Sequence, residues 1–229
     1  MEQMMKTFDK QWNEVHATRN WGKYPAEELV RFMSRLYAPG VRRQIKVLDL
    51  GCGTGANTWF LCREGFLTVA FDGAFAALPK ARELCRNETR PPLLLQADAG
   101  VLPFADESFD AVVEIGALAA NTSAGIRSIL SEIRRVLKPG GSFFSSVLFT
   151  PATTGYGSGE KLDAHSYRNI SDGPVAGLGT IHFFSRAEIR SLWQKNGFGE
   201  LTIDRLERSD RNGAFRVSFY MVGATRLKK

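Results

Sequence analysis

Histidine and cysteine are scarce in this 229-residue sequence, three of each. Cys52, Cys62 and Cys85 are odd in number and lack metal-ligand spacing, so no metal is expected and the thiols read as reduced and structural. His16, His165 and His182 leave few side chains for proton transfer near neutral pH. No uninterrupted apolar run approaches the roughly 20 residues of a membrane-spanning helix, so nothing supports a membrane role. The opening residues, Met1 to Lys6, have neither the apolar core nor the small-residue cleavage site of a secretory signal, and a cytoplasmic protein is expected.

What is present is a globular composition, 44% hydrophobic and 24% charged. The length suits one α/β domain with appendages: a helical cap over residues 1–40, and a domain over 41–229 that carries a long loop insertion at 150–180. The net charge of +6 raises the question of a nucleic-acid partner. Its sources lie far apart, at Arg42 and Arg43, residues 86–90, Arg134 and Arg135, and residues 226–229, and read as solvated faces rather than a binding stripe. Oligomeric state is not legible.

From Pro25 the pattern is helical, with Glu27 and Glu28 at the positive end of the helix dipole and Leu29, Phe32, Met33 and Leu36 on one face. Strand-like runs at 45–50, 67–71, 93–96, 111–115 and 142–148 then alternate with helical ones at 56–64, to about residue 86, and 125–137. Pro79 predicts a kink in the second of these helices or a start only there. Residues 138–141 read as a turn, and the alternation implies a parallel sheet covered on both faces. The rhythm changes after a helix at 185–196: runs at 200–208 and 214–225, joined by turn residues 209–213, predict an antiparallel hairpin.

A glycine-rich turn after the first strand lets a ligand approach the backbone, because glycine has no Cβ and tolerates positive φ. Gly51, Gly53 and Ala56 satisfy the loose dinucleotide pattern, with Asp72 at the distance of a ribose-binding acid, so the glycines alone leave two cofactor classes open. Asp49 separates them: a carboxylate before the first glycine would oppose a pyrophosphate but suits the ammonium of a methionine moiety. Asp98, after the third strand, could accept from an exocyclic amine such as that of adenine.

The run Val47-Leu48-Asp49-Leu50-Gly51-Cys52-Gly53-Thr54-Gly55, followed by Asp72, Gln96-Ala97-Asp98-Ala99, Leu102-Pro103-Phe104, Ser108-Phe109-Asp110, the stretch from Ile133 to Gly141, His182-Phe183-Phe184-Ser185 and Asn196-Gly197-Phe198, closely resembles the class I S-adenosylmethionine-dependent methyltransferase family, including its ubiquinone-biosynthesis-type branch. The resemblance covers about residues 45–200. It implies an α/β Rossmann-like three-layer sandwich, with a seven-stranded, mostly parallel sheet whose last strand is antiparallel. It implies S-adenosylmethionine as cofactor, with the methionine end against Asp49, Gly51 and Gly53, the ribose on Asp72 beside Gly73, adenine on Asp98 and the backbone of Ala99, and Glu114 and Ile115 lining the cofactor. Cys52, inside the binding run, takes a packing role. Ala74 stands where many relatives carry serine, and 116–120 lacks the paired histidines of some.

A sulfonium donor is already activated, so transfer needs mainly in-line approach in a dry site. If a base is needed, His165 and Tyr167 in the glycine-rich loop are the candidates, and Tyr156 joins them as acceptor-lining; His182 reads as structural. Trp21 and Tyr24, with Phe8 and Trp12, form an aromatic group that could close over a flat acceptor. A small-molecule acceptor is the expectation, its identity and reacting atom not legible. RNA or protein methylation and a non-catalytic relative are the alternatives. No Asn/Asp-Pro-Pro-aromatic run follows the fourth strand and no Pro-Cys nucleophile occurs, which disfavours nucleobase methylation.

Overall fold

The computed structural model describes residues 7–19 and 21–228. Met1 to Lys6, read above for a signal, lie outside the described residues, as do Asn20 and Lys229. Two helices, α1 (Gln11–Thr18) and α2 (Glu27–Leu36), precede the first strand. The alternation follows: β1 (Lys46–Leu50), α3 (Ala56–Arg63), β2 (Leu67–Asp72), α4 (Leu78–Cys85), β3 (Leu93–Gln96), β4 (Phe109–Ile115), α5 (Ser123–Val136) and β5 (Leu137–Phe149). After short strands β6 (Glu160–Lys161), β7 (Ser166–Arg168) and β8 (Ile181–His182) come α6 (Arg186–Lys195), β9 (Phe198–Asp210) and β10 (Phe215–Arg226).

The main sheet has seven strands in the order β3-β2-β1-β4-β5-β10-β9. β10 pairs antiparallel with both β5 and β9 while the other pairs are parallel, so only the last strand is reversed. β1 shows why the sheet needs two covers. Leu48 and Leu50 pack with α5 and α6 residues such as Ile129, Ile133 and Trp193, whereas Val47 packs on the opposite face with Leu29 and Met33 of α2 and Phe60 and Leu61 of α3. Successive strand side chains face opposite layers, so a strand buried on both sides must be apolar at nearly every position. Among the buried residues of β1 Asp49 is the exception, 1% exposed, while Lys46 at the strand's start is half-buried.

Three local expectations are refined. Pro79 neither kinks nor interrupts α4; it sits in the first turn, after a 3-10 turn at Phe75–Ala77, where its missing N–H has no helical partner to lose. Residues 138–141 lie inside β5 as an irregularity, the register slipping between Phe109↔Leu137 and Ala111↔Ser142. The segment 150–180, expected as a long loop insertion, contributes β6 and β7, which with β8 form a second, three-stranded sheet. Tyr167, Ile170, Val175, Ile181 and Phe183 form its own apolar cluster, made of residues too widely spaced to show as a period.

Candidate functional site

The cleft begins where β1 ends. Asp49 lies beneath the glycine turn, and the Thr58 hydroxyl of α3 donates to its Oδ2 at 2.5 Å. Burial pushes the Asp49 carboxyl up to about 7, and nearby Asp72 pushes the same way. A buried carboxylate short of compensating charge is suited to a cationic ligand, which would restore its ionised form. Gly51 turns the chain at φ 68°, and a Cβ there would lie 2.6 Å from the Cβ of Ala117, so glycine is required for both conformation and close approach.

Asp72, at the end of neighbouring β2, ties the turn together. Its Oδ2 accepts from the Gly53 amide at 2.8 Å and its Oδ1 from the Ala74 amide at 2.7 Å. Burial raises its pKa, and these two amides and His16 oppose the rise. One strand further out, Asp98 accepts from the Gly100 amide at 2.8 Å. Adjacent parallel strands thus bring Asp49, Asp72 and Asp98 to one edge of the sheet in the order β1, β2, β3. Cys52 is 6% exposed and packs with Ala70 and Leu78, and burial pushes its thiol up. Ala99 is half-buried against the core that holds Leu102 and Phe104.

Glu114 and the half-buried Ile115 end β4. Glu114 is fully buried; Ser145 donates to its Oε1 and the Leu118 amide to its Oε2 at 3.1 Å. Burial pushes this carboxyl up to about 7. Beside it, β5 carries an irregularity in its pairing with β10, and the β-branched Val147 takes φ 60° next to Gly116. That conformation is costly for such a residue.

The N-terminal segment reaches into the cleft. The Thr7 hydroxyl donates to Asp98 Oδ1, and its amide to Oδ2 at 3.3 Å. The Phe8 ring fills the space a side chain at Gly73 would take. His16 of α1 lies over Gly53, its Cε1 3.2 Å from where a Cβ would stand. Burial lowers the His16 pKa, Asp72 opposes that, and Lys80 adds to it. His16 stacks loosely with Trp12 and Trp21, all centroid distances between 5.6 and 6.1 Å. His16 Nδ1 and Trp12 Nε1 are buried without a hydrogen-bond partner among the described residues.

The proposed acceptor residues are dispersed. Trp21 is 41% and Tyr24 84% exposed. Tyr167 is buried, its ring edge-on to Tyr156 and Phe183. His165 is half-buried, 5.8 Å between ring centroids from His182. His182 itself bridges two elements: Ser166 Oγ lies 2.8 Å from Nδ1 and Glu188 Oε1 3.1 Å from Nε2, and its amide donates to the Ala119 carbonyl at 2.8 Å. Ser166 and His182 are fully buried, which makes this a structural link between the small sheet and α6. The insertion meets the N-terminal segment where Thr180 donates to Asp9 through its amide and hydroxyl, both at 3.1 Å. Thr7, Asp9, His16 and Thr58 were not singled out by sequence reasoning. For Thr58 a signal existed, a hydroxyl one turn into the helix after the glycines; for the others only their place beside the aromatics Phe8 and Trp12 hinted at a role.

Comparison with known proteins bears on this arrangement. A family profile described as a methyltransferase domain matches residues 47–141. A demethylmenaquinone methyltransferase of Corynebacterium glutamicum is 33% identical over 170 residues, which is 68% of this chain and 68% of that relative. The chain spans about half or less of other curated relatives, 49% of one methyltransferase and 41% of another. Among solved structures, an S-adenosylmethionine-dependent methyltransferase of Methanosarcina mazei superposes with a TM-score of 0.67 at 23% identity, over 81% of this chain and 93% of that one. The Burkholderia thailandensis 1,6-didemethyltoxoflavin N1-methyltransferase, solved with its substrate and S-adenosylhomocysteine, gives 0.63 at 18% identity over 88% and 80%. At these identities the structural likeness is one of fold.

Proposed function

The chain belongs to the class I S-adenosylmethionine-dependent methyltransferase family, and from that premise we propose that it moves a methyl group from S-adenosylmethionine to an O, N or C atom of a small-molecule acceptor. The observation that carries this reading is the row of Asp49, Asp72 and Asp98 at the ends of three adjacent strands, around a turn too tight for any residue but glycine at Gly51. Asp49 would take the ammonium of the methionine moiety, whose chain would run along the backbone of Gly51 and Gly53. Asp72, beside Gly73, would accept from the ribose hydroxyls on the lone pairs its two amide bonds leave. Asp98 and the Ala99 amide would read adenine, and Glu114 and Ile115 would wall the sulfur end.

When bound, the sulfonium supplies an electrophilic methyl group. The chain's part is orientation and exclusion of water, the two terms that dominate when the donor is already activated. The cap, residues 1–40, and the insertion at 150–180 close over the acceptor in this reading, supported by the Asp9–Thr180 contact between them. Trp21, Tyr24, Tyr156, His165 and Tyr167 are assigned to the acceptor side in this reading, with His165 and Tyr167 as the candidate bases should the acceptor be a hydroxyl.

Relatives named for demethylmenaquinone and didemethyltoxoflavin support a small organic acceptor. No helix among the described residues is long and apolar enough to cross a membrane, and the dispersed basic residues support a reading without a nucleic-acid partner. The test is to incubate the protein with methyl-labelled S-adenosylmethionine and a cell extract separated into small-molecule, RNA and protein fractions. Label is expected in the small-molecule fraction; label confined to RNA or protein would overturn the acceptor class.

A further inference from the structure

The residues ahead of α1 lie on groups assigned above to the nucleoside of the cofactor. The Thr7 hydroxyl and amide both donate to Asp98, to Oδ1 and Oδ2 in turn. The Gly100 amide donates to the Thr7 hydroxyl at 2.9 Å and to Asp98 Oδ1 at 2.8 Å. The Phe8 ring stands against Gly73, where a Cβ would come within 2.6 Å of its Cγ, and a Cβ at Gly100 would come as close to the Thr7 methyl. Neither glycine has a positive φ, so a side chain at either position would contest space rather than backbone conformation, and residues 7 and 8 take that space. Resting on the cofactor reading above, we propose that Thr7 and Phe8 form a built-in competitor for the nucleoside half of the cofactor site, one that the cofactor must displace to reach Asp98 and Gly73.

Hydrogen-bond capacity and sterics point the same way. A carboxylate oxygen has two lone pairs, and Asp98 Oδ1 accepts from both Thr7 and Gly100, so an exocyclic amine gains that oxygen only when the Thr7 hydroxyl leaves it. A ribose beside Gly73 and the Phe8 ring likewise cannot share one volume. The competitor is held by contacts weak enough to exchange: Thr7 and Phe8 are half-buried, and each hydrogen bond released is remade with ligand or water. Asp9 is the anchor. Its Oδ2 accepts from the Thr180 amide and hydroxyl, and its Oδ1 from the Gln11 amide that opens α1, so residues 7 and 8 can swing out while α1 and the insertion stay in place. Tethering keeps the pair at high local concentration over the cleft. The apparent affinity for the cofactor is then the intrinsic one scaled by the fraction of molecules in which the cleft is open.

Calorimetry with S-adenosylhomocysteine on the full chain tests this by the sign of the effect. Thr7→Val keeps the shape and removes the hydroxyl donor; Phe8→Ala empties the space at Gly73. Each should tighten binding about threefold to tenfold, the worth of the contact released. Hydrogen exchange at the Thr7 amide should quicken when the ligand is added to the unmodified protein, while Thr180 stays protected. A segment that instead clamps the bound cofactor would give the reverse, weaker binding in both variants and slower exchange at Thr7. Unchanged affinity in both variants would show that these contacts exert no competition, and either result overturns the proposal. Absence of S-adenosylhomocysteine binding by the unmodified protein and by both variants would instead overturn the cofactor reading, and this inference with it.

Discussion

The two sides of the cleft are built in different ways. On the donor side the functional groups sit at strand ends and are held by neighbours in the fold's central repeat: Asp72 by the Gly53 and Ala74 amides, Asp98 by Gly100, Asp49 by Thr58. On the side proposed for the acceptor the walls are tied by polar contacts among the N-terminal segment, the insertion and α6, such as Asp163 with the Ser123 amide, His182 with Ser166 and Glu188, and Asp9 with Thr180. The first construction fixes the site wherever the sheet forms. The second lets the walls vary while the sheet stays the same, which suits one donor and many acceptors.

Changes on the donor side should therefore have the largest effects on cofactor binding. Asp72→Ala strips the acceptor from two buried amides as well as from the ligand; affinity for S-adenosylhomocysteine should fall on the order of 100-fold, two or more hydrogen bonds' worth. Calorimetry reads this, and a loss below about threefold would mean the donor side is not organised by Asp72.

Next is a pH effect on the ligand-free protein. Asp49 and Glu114 are both raised to about 7, above their unfolded values near 4. The native state then binds more protons than the unfolded one between about pH 4 and 7. Stability from these groups is full below the unfolded values and is lost as pH rises through that window. Chemical denaturation at pH 5 and pH 8 should show the decline, and Asp49→Asn should flatten part of it; an unchanged slope would contradict the assignment.

On the acceptor side, Ser166→Ala leaves the buried His182 Nδ1 unpartnered. It should cost about 1–3 kcal/mol and loosen residues 160–182 in hydrogen exchange, with S-adenosylhomocysteine affinity unchanged; a matching loss of affinity would mean the two sides are coupled. A comparable effect is expected from Asp9→Ala, which takes the acceptor from the amide and hydroxyl of the buried Thr180: about 1–3 kcal/mol, with faster exchange at Thr180. Protection there equal to the unmodified protein would show that the two segments are held by something else.

The same contrast explains what was legible in the sequence. The parallel alternation, the C-terminal hairpin and the glycine turn follow from period, composition and spacing within a few residues, and so do Asp49, Asp72 and Asp98 as candidates. The seven-stranded sheet with its reversed last strand, by contrast, was what the family resemblance implied. Pro79 was ambiguous because a first-turn proline and a mid-helix proline differ only in where the preceding turn ends. The small sheet at 160–182 was not legible, since its strands have two or three residues and are stabilised by a cluster assembled from Tyr167 to Phe183. Thr7 and His16 were missed for a related reason: they meet Asp98 and Gly53 across more than thirty intervening residues, with no motif to mark the encounter.

The central claim is that the carboxylates at the ends of β1, β2 and β3 select a methionine-type cofactor over a dinucleotide. Calorimetric titration of the unmodified protein with S-adenosylhomocysteine and, separately, with NAD tests it most directly. The account predicts saturable one-to-one binding of S-adenosylhomocysteine and none of NAD; tight binding of NAD with no heat from S-adenosylhomocysteine would contradict it.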